Sequence, residues 1–241
     1  GLNSGLLDGR VDGFSSVESL AGGTADDTFR FEGAGDLSGA IDGGGAGADS
    51  DVIEGLDGVV DNVTLTGADA GDADFAADGF SDVESLDLRD GADNVTLNDG
   101  SSLLTDTLIG GAGADSLIGP DTATTFNVTG VDAGNVTGGS TIPDFQSFEN
   151  LTGGADNDTF NVDANLSGNI DGGAGTEDTL DLTAGVTIGG NVINVENVNL
   201  IVNGTDSDDV IEIERVSAGG VLQAVVNGAV SQFFTPVGVL N

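Results

Sequence analysis

One short phrase returns along this chain. Phe14-Ser-Ser-Val-Glu18-Ser-Leu20 recurs as Phe80-Ser-Asp-Val-Glu84-Ser-Leu86 and as Phe145-Gln-Ser-Phe-Glu149-Asn-Leu151, with a weaker copy at Val192-Ile-Asn-Val-Glu196-Asn-Val198. The register continues downstream. Gly22-Gly23 to Asp27-Thr28-Phe29 stands at the same offsets from Glu18 as Gly153-Gly154 to Asp158-Thr159-Phe160 does from Glu149. A repeat this long restricts the chain to architectures in which equivalent segments lie against one another.

The repeated material has the strand period. Asp27–Phe31, Asp61–Leu65, Asp93–Leu97, Asp106–Ile109, Asp115–Ile118, Asp158–Val162 and Asp178–Leu182 are short runs, most of them alternating apolar with polar residues. Gly-rich turns separate them, and no helical-period stretch competes. Evenly spaced short strands suit an antiparallel sandwich as well, but the in-register repeat favours stacked coils. The expected fold is all-β: a parallel β-solenoid, β-helix or β-roll in style, built from short strands and Gly/Asp-rich turns. Residues 1–215 form the repetitive body, with super-repeats near 14–79, 80–144, 145–191 and 192–215. Residues 216–241 carry no charge and read as a strand-rich end, two strands meeting at Asn227-Gly228, that caps the body or pairs with a neighbour. The chain does not begin with Met and both ends run through a repeat, which predicts a processed product or a piece of a longer array.

Charge narrows the function. There are 42 acidic residues against 4 basic ones, for a net charge of -38. Only nine of the acids are Glu. The Asp excess beside 42 glycines indicates tight turns and short carboxylates suited to hard cations. With no His, Cys or Lys, the usual zinc sites, Cys nucleophiles, Ser-His-Asp triads and Schiff bases are excluded. Four arginines are too few to hold a nucleic-acid backbone, and no apolar run is long enough to span a bilayer. Stacked acids about 4.8 Å apart repel by roughly 1 kcal/mol per pair even in water, so the columns need neutralising.

Gly110-Gly111-Ala-Gly113-Ala-Asp115-Ser-Leu117-Ile118 fits G-G-x-G-x-D-x-U-x at every defined position, the calcium-binding β-helix nonapeptide. Looser copies place Asp26 and Asp27, Asp49 and Asp51, Asp156 and Asp158, Glu177 and Asp178, and Asp206 and Asp208 in similar turns. The candidate metal ligands are therefore Gly111, Gly113, Asp115 and these ten acids. The same turns can also close without metal, the Asp bonding its own backbone. Glu18, Glu84, Glu149 and Glu196 read as a structural column, and Phe29, Phe31, Phe126, Phe148 and Phe160 as core stackers.

On these motifs the chain resembles the RTX calcium-binding repeat proteins, and more closely their degenerate relatives in large secreted bacterial surface and matrix proteins. In tandem copies of the family motif each ion is shared between neighbouring turns. Here the motifs stand apart, which predicts a few separate Ca2+ sites, with none at some copies. The resemblance implies export, calcium-driven folding and an extracellular structural role as fibre, surface layer, adhesin or biofilm matrix, with cell-surface or glycan contacts and end-to-end self-assembly through 216–241. No catalysis is expected: a lyase for acidic sugars needs clustered cations that four scattered arginines do not supply. The other reading is a calcium-binding accessory module of an exported polysaccharide-modifying enzyme.

Overall fold

The computed structural model describes residues 17–32, 35–45, 49–99 and 104–201, and beyond these only the backbone of five strands. Of those five, β1 (Ser4–Leu7) and β2 (Val11–Ser15) form an antiparallel pair. The main body runs through β3 (Leu20–Ala21), β4 (Thr28–Arg30), β5 (Ile41–Asp42), β6 (Val52–Glu54), β7 (Asn62–Gly67), β8 (Ala70–Ala73) and β9 (Ala76–Ser81). It continues through β10 (Ser85–Asp87), β11 (Asn94–Leu97), β12 (Thr107–Ile109), β13 (Ser116–Ile118), β14 (Thr124–Gly130), β15 (Ala133–Gly138) and β16 (Ile142–Gln146). It ends with β17 (Asn150–Thr152), β18 (Thr159–Val162), β19 (Ile170–Asp171), β20 (Thr179–Thr183), β21 (Val192–Ile193) and β22 (Asn197–Ile201). The remaining strands, β23 (Ile211–Arg215), β24 (Leu222–Val226) and β25 (Ala229–Phe234), form a separate antiparallel sheet in which Val226 pairs with Ala229 across the expected hairpin.

The body is all-β, with two sheets of ten mostly parallel strands. The first has the order β21-β19-β17-β13-β11-β7-β8-β9-β5-β3, the second β22-β20-β18-β14-β15-β16-β12-β10-β6-β4. Outside two excursions, each turn carries the chain from one sheet to the other. Among the described residues no helix is long and apolar enough to cross a membrane.

The repeat predicts parallel stacking throughout, and the structure departs from it twice. β7, β8 and β9 form an antiparallel meander in the first sheet, and β14, β15 and β16 form one in the second. Both reverse at the same phrase, Thr66-Gly67-Ala68-Asp69-Ala70-Gly71 and Thr129-Gly130-Val131-Asp132-Ala133-Gly134. Asp69 and Asp132 sit at φ 49° and 51°, left-handed conformations that Asp tolerates better than most side chains. Their carbonyls accept the N–H of Val83 and Phe148 (both 3.0 Å), and their carboxylates accept those of Thr105 (2.8 Å) and Ser167 (2.6 Å). Each reversal is thus tied to the two loops beside it.

Alternation along the strands builds the core. On β14 Phe126 and Val128 point inward, while Thr125 and Asn127 lie on the other face. Parallel register sets Phe126 opposite Phe160 and Phe160 opposite Leu180. The two rings stack at 5.1 Å with their planes 5° apart. Inward residues of both sheets merge into one apolar cluster, which includes Phe31, Phe126, Phe148 and Phe160, with Phe29 packed against its edge. Burying each such ring stabilises by roughly 1.5–3 kcal/mol. Outside, amides stack in register: Asn127 donates to Asn135 (2.9 Å) and Asn161 donates to Asn127 (2.8 Å).

Candidate metal centre

The acid that opens most strands stands at a corner, where the chain turns into a sheet. There its carboxylate meets the main chain of the strand alongside. The N–H of Asp27 donates to Asp51 Oδ1, and that of Asp51 to Glu84 Oε2, both at 2.7 Å. Asp61 donates to Asp93, Asp93 to Asp115 and Asp115 to Glu149, again at 2.7 Å. A third column starts at the Thr124 N–H, which donates to Asp158 at 2.8 Å, and runs on through Asp178 to Glu196. Every column ends at the Glu of a Phe-x-x-Val-Glu type phrase.

The structural part expected of the glutamates takes the form of caps. The glutamates do not stack on each other; Glu84, Glu149 and Glu196 close three separate columns. Their turns hold only three residues between strands, Asp82-Val83-Glu84, Ser147-Phe148-Glu149 and Asn194-Val195-Glu196. The first residue is left-handed in each, at φ 52°, 56° and 52°, and the second is buried. A longer side chain spans what so short a turn leaves open, which accounts for Glu where the other corners use Asp.

The left-handed residue also explains a glycine. Its carbonyl faces the first residue of the neighbouring Gly-Gly turn: Asp82 faces Gly43, Ser147 faces Gly110 and Asn194 faces Gly172. A methyl group on any of these glycines would collide with that oxygen. On Gly110 it would also stand 2.9 Å from Asp115 Oδ2, so carbonyl and carboxylate converge on the same small space.

Among the described residues, seven such Asp corners divide into two kinds. In the first, the second residue of the turn donates its N–H to the Oδ2 of the Asp: Gly23 to Asp27 (2.6 Å), Leu56 to Asp61 (2.9 Å) and Gly154 to Asp158 (2.7 Å); Asp158 has both oxygens engaged, while the Oδ1 of Asp61, at the head of its column, is buried without a partner. In the second, the second residue is left-handed, at φ 99° for Gly44, 69° for Arg89, 104° for Gly111 and 91° for Gly173. Gly44, Arg89 and Gly173 donate instead to Asp42, Asp87 and Asp171, two residues earlier, at 3.1, 3.1 and 3.0 Å. The Oδ2 atoms of Asp51, Asp93, Asp115 and Asp178 are left buried with no hydrogen-bond partner, and each of these residues is 0 % exposed.

Burial makes the ionised form of these acids expensive. Desolvation, aided by neighbouring carboxylates, pushes Asp51, Asp115 and Asp178 above the usual carboxylate range. It lifts Asp61 to about 6 and Asp93 to about 7. Among the described residues the cations that reach acids are Arg30, paired with Glu54, and Arg89, 3.6 Å from Asp57.

Of the expected ligands, Asp27, Asp51, Asp115, Asp158 and Asp178 take equivalent corner positions. Gly111 and Gly113 shape the turn above Asp115, facing the carbonyls of Arg89 and Gly91. Asp26, Asp156 and Glu177 stand exposed outside the columns, and Asp49 is half-buried. Asp206 and Asp208 lie outside the described residues. Asp61, Asp93, Glu84, Glu149 and Glu196 belong to the columns but were not among the expected ligands. Their signal was an acid placed directly before an alternating run.

Among the described residues no three acids gather as a compact metal cluster. What an open corner offers is one orphaned carboxylate oxygen beside backbone carbonyls. Hard oxygen donors of these two kinds fit Ca2+, which completes its 6–8 ligands with water. Comparison with protein families, curated proteins and solved structures found no match.

Proposed function

We propose that this chain is a calcium-stabilised, non-catalytic structural segment of an exported surface or matrix protein, folded as a β-solenoid with two meanders. The observation that carries the reading is the buried, orphaned Oδ2 of Asp51, Asp115 and Asp178. A buried ionised carboxylate without a partner costs several kcal/mol. The chain has 4 basic residues for 42 acids, so neutralisation has to come from outside. A divalent cation relieves each orphan and screens the column around it. Asp51, Asp115 and Asp178 would hold the ions with nearby carbonyls, and the ions would supply charge neutralisation and cross-linking of adjacent turns. Millimolar calcium outside cells suits sites with so few protein carboxylates.

Assembly follows from the sheet ends. β3, β4, β21 and β22 are the outermost strands, each with one neighbour in its sheet. Such edges are templates for another strand, here a further repeat block or a second copy, with segment 216–241 as the contact.

The test is thermal unfolding by circular dichroism, with sedimentation, in EDTA and in millimolar calcium. A higher melting midpoint with calcium, accompanied by larger species, is expected. An identical midpoint in EDTA would overturn the calcium role, and an unchanged monomer would overturn assembly.

A further inference from the structure

Turn 88–93, Leu88-Arg89-Asp90-Gly91-Ala92-Asp93, has no glycine pair, yet it repeats the turn of Gly110 to Asp115 at a constant offset of 22 residues. Leu88 N–H bonds Ile109 O (2.9 Å), Ala112 N–H bonds Arg89 O (2.7 Å) and Gly91 N–H bonds Ala112 O (2.9 Å). Asp90 and Ala112 pair as a parallel bridge. Arg89 takes the left-handed backbone that Gly111 takes, although a long side chain is penalised there. Its amide is drawn away by Asp87, as those of Gly44 and Gly173 are by Asp42 and Asp171. Asp93 is 0 % exposed; its Oδ1 accepts the Asp61 N–H and its Oδ2 has no partner. A methyl group on Gly91 would stand 2.3 Å from both Asp93 Oδ1 and the Val59 carbonyl, so carboxylate and carbonyl crowd together at this turn as well. The Arg89 guanidinium reaches Asp57 of the neighbouring turn instead of Asp93.

From this geometry we infer that turn 88–93 is a further divalent-cation site, with Asp93 as its carboxylate ligand and Arg89 standing in for the glycine of the motif. Strained backbone beside an unsatisfied buried acid is the pattern of a site held ready for a ligand. The inference rests on the calcium reading above and extends it to a turn the motif passes over.

The experiment counts calcium bound per chain by equilibrium dialysis for the full chain and for Asp93→Asn, Asp115→Asn, Asp27→Asn and Arg89→Gly. Asp93→Asn and Asp115→Asn should each bind one ion fewer, while Asp27→Asn and Arg89→Gly should bind as many as the parent. An Asp93→Asn chain that keeps the full number, while Asp115→Asn loses one, overturns this site and leaves the calcium reading standing. A parent chain that binds no calcium overturns both. Hydrogen exchange on the unmutated chain is the second measurement, in case the Asn variant does not fold. Amides of 88–93 should gain at least tenfold protection with calcium, as those of 110–115 do. No gain at 88–93 beside a gain at 110–115 overturns the site.

Discussion

The main-chain N–H of Asp93 donates to the side chain of Asp115 at 2.7 Å, so the backbone of one turn holds the acid of the next. One oxygen is occupied in this way in every column acid after the first. What becomes of the other oxygen distinguishes the corners, and the following expectations turn on it.

Acidity should stabilise the metal-free protein. Asp61 at about 6 and Asp93 at about 7 lie above the ordinary 3.8. A raised folded-state value means that the contribution is complete below the unfolded value and is lost as pH rises through the folded one. In EDTA the melting midpoint should therefore fall between pH 5 and pH 8, and calcium should flatten the fall. A midpoint that climbs over that range contradicts the assignment.

Closed and open corners should respond oppositely to the same substitution. Asp158 accepts N–H groups from Thr124 (2.8 Å) and Gly154 (2.7 Å), so Asp158→Asn turns an amide donor against another donor. A loss of about 1–3 kcal/mol in EDTA is expected. Asp115→Asn removes an unpaired buried charge and keeps an acceptor for Asp93. It should cost nothing in EDTA and abolish part of the calcium-induced gain. Chemical denaturation of both variants, with and without calcium, measures the contrast.

Two glycines should fail for different reasons. Gly110→Ala drives a methyl group into the Ser147 carbonyl, which belongs to a left-handed turn with little room to yield. About 2–3 kcal/mol should be lost. Gly58 has open space around it and φ 72°, so Gly58→Ala should cost only about 1 kcal/mol, the conformational penalty alone. Equal losses would mean that close approach is not what selects Gly110.

Arg89→Gly should be neutral or stabilising by up to ~1 kcal/mol. It relieves a left-handed residue at φ 69° and gives up only a 3.6 Å ion pair to a mostly exposed Asp57. A clear loss of stability would assign Arg89 a role in the fold that its contacts do not indicate.

Much of the fold was legible because the physical causes are local. An acid followed by apolar-polar alternation marked β4, β7, β11, β13, β18 and β20, and stacked Phe126 and Phe160 follow from the period of two. The meanders were less visible. Their shared Thr-Gly-x-Asp-Ala-Gly phrase lies inside what reads as one more strand and turn, and only pairing reveals the reversal. The sorting of corners depends on backbone handedness. At three of the four left-handed corners Asp42, Asp87 and Asp171 capture an amide, which spacing of the glycines does not express, and Arg89 hides one such corner entirely.

The meanders bear on the order of assembly. β7 lies three strand positions beyond β5, and the two-strand gap is filled only when the chain doubles back through β8 and β9. The second sheet repeats this with β14, β15 and β16. A polypeptide released gradually from one end therefore cannot lay every course directly upon the last. At two points it must leave a vacancy, build past it and return, so growth of the stack is punctuated by two long-range closures in place of a uniform zipper.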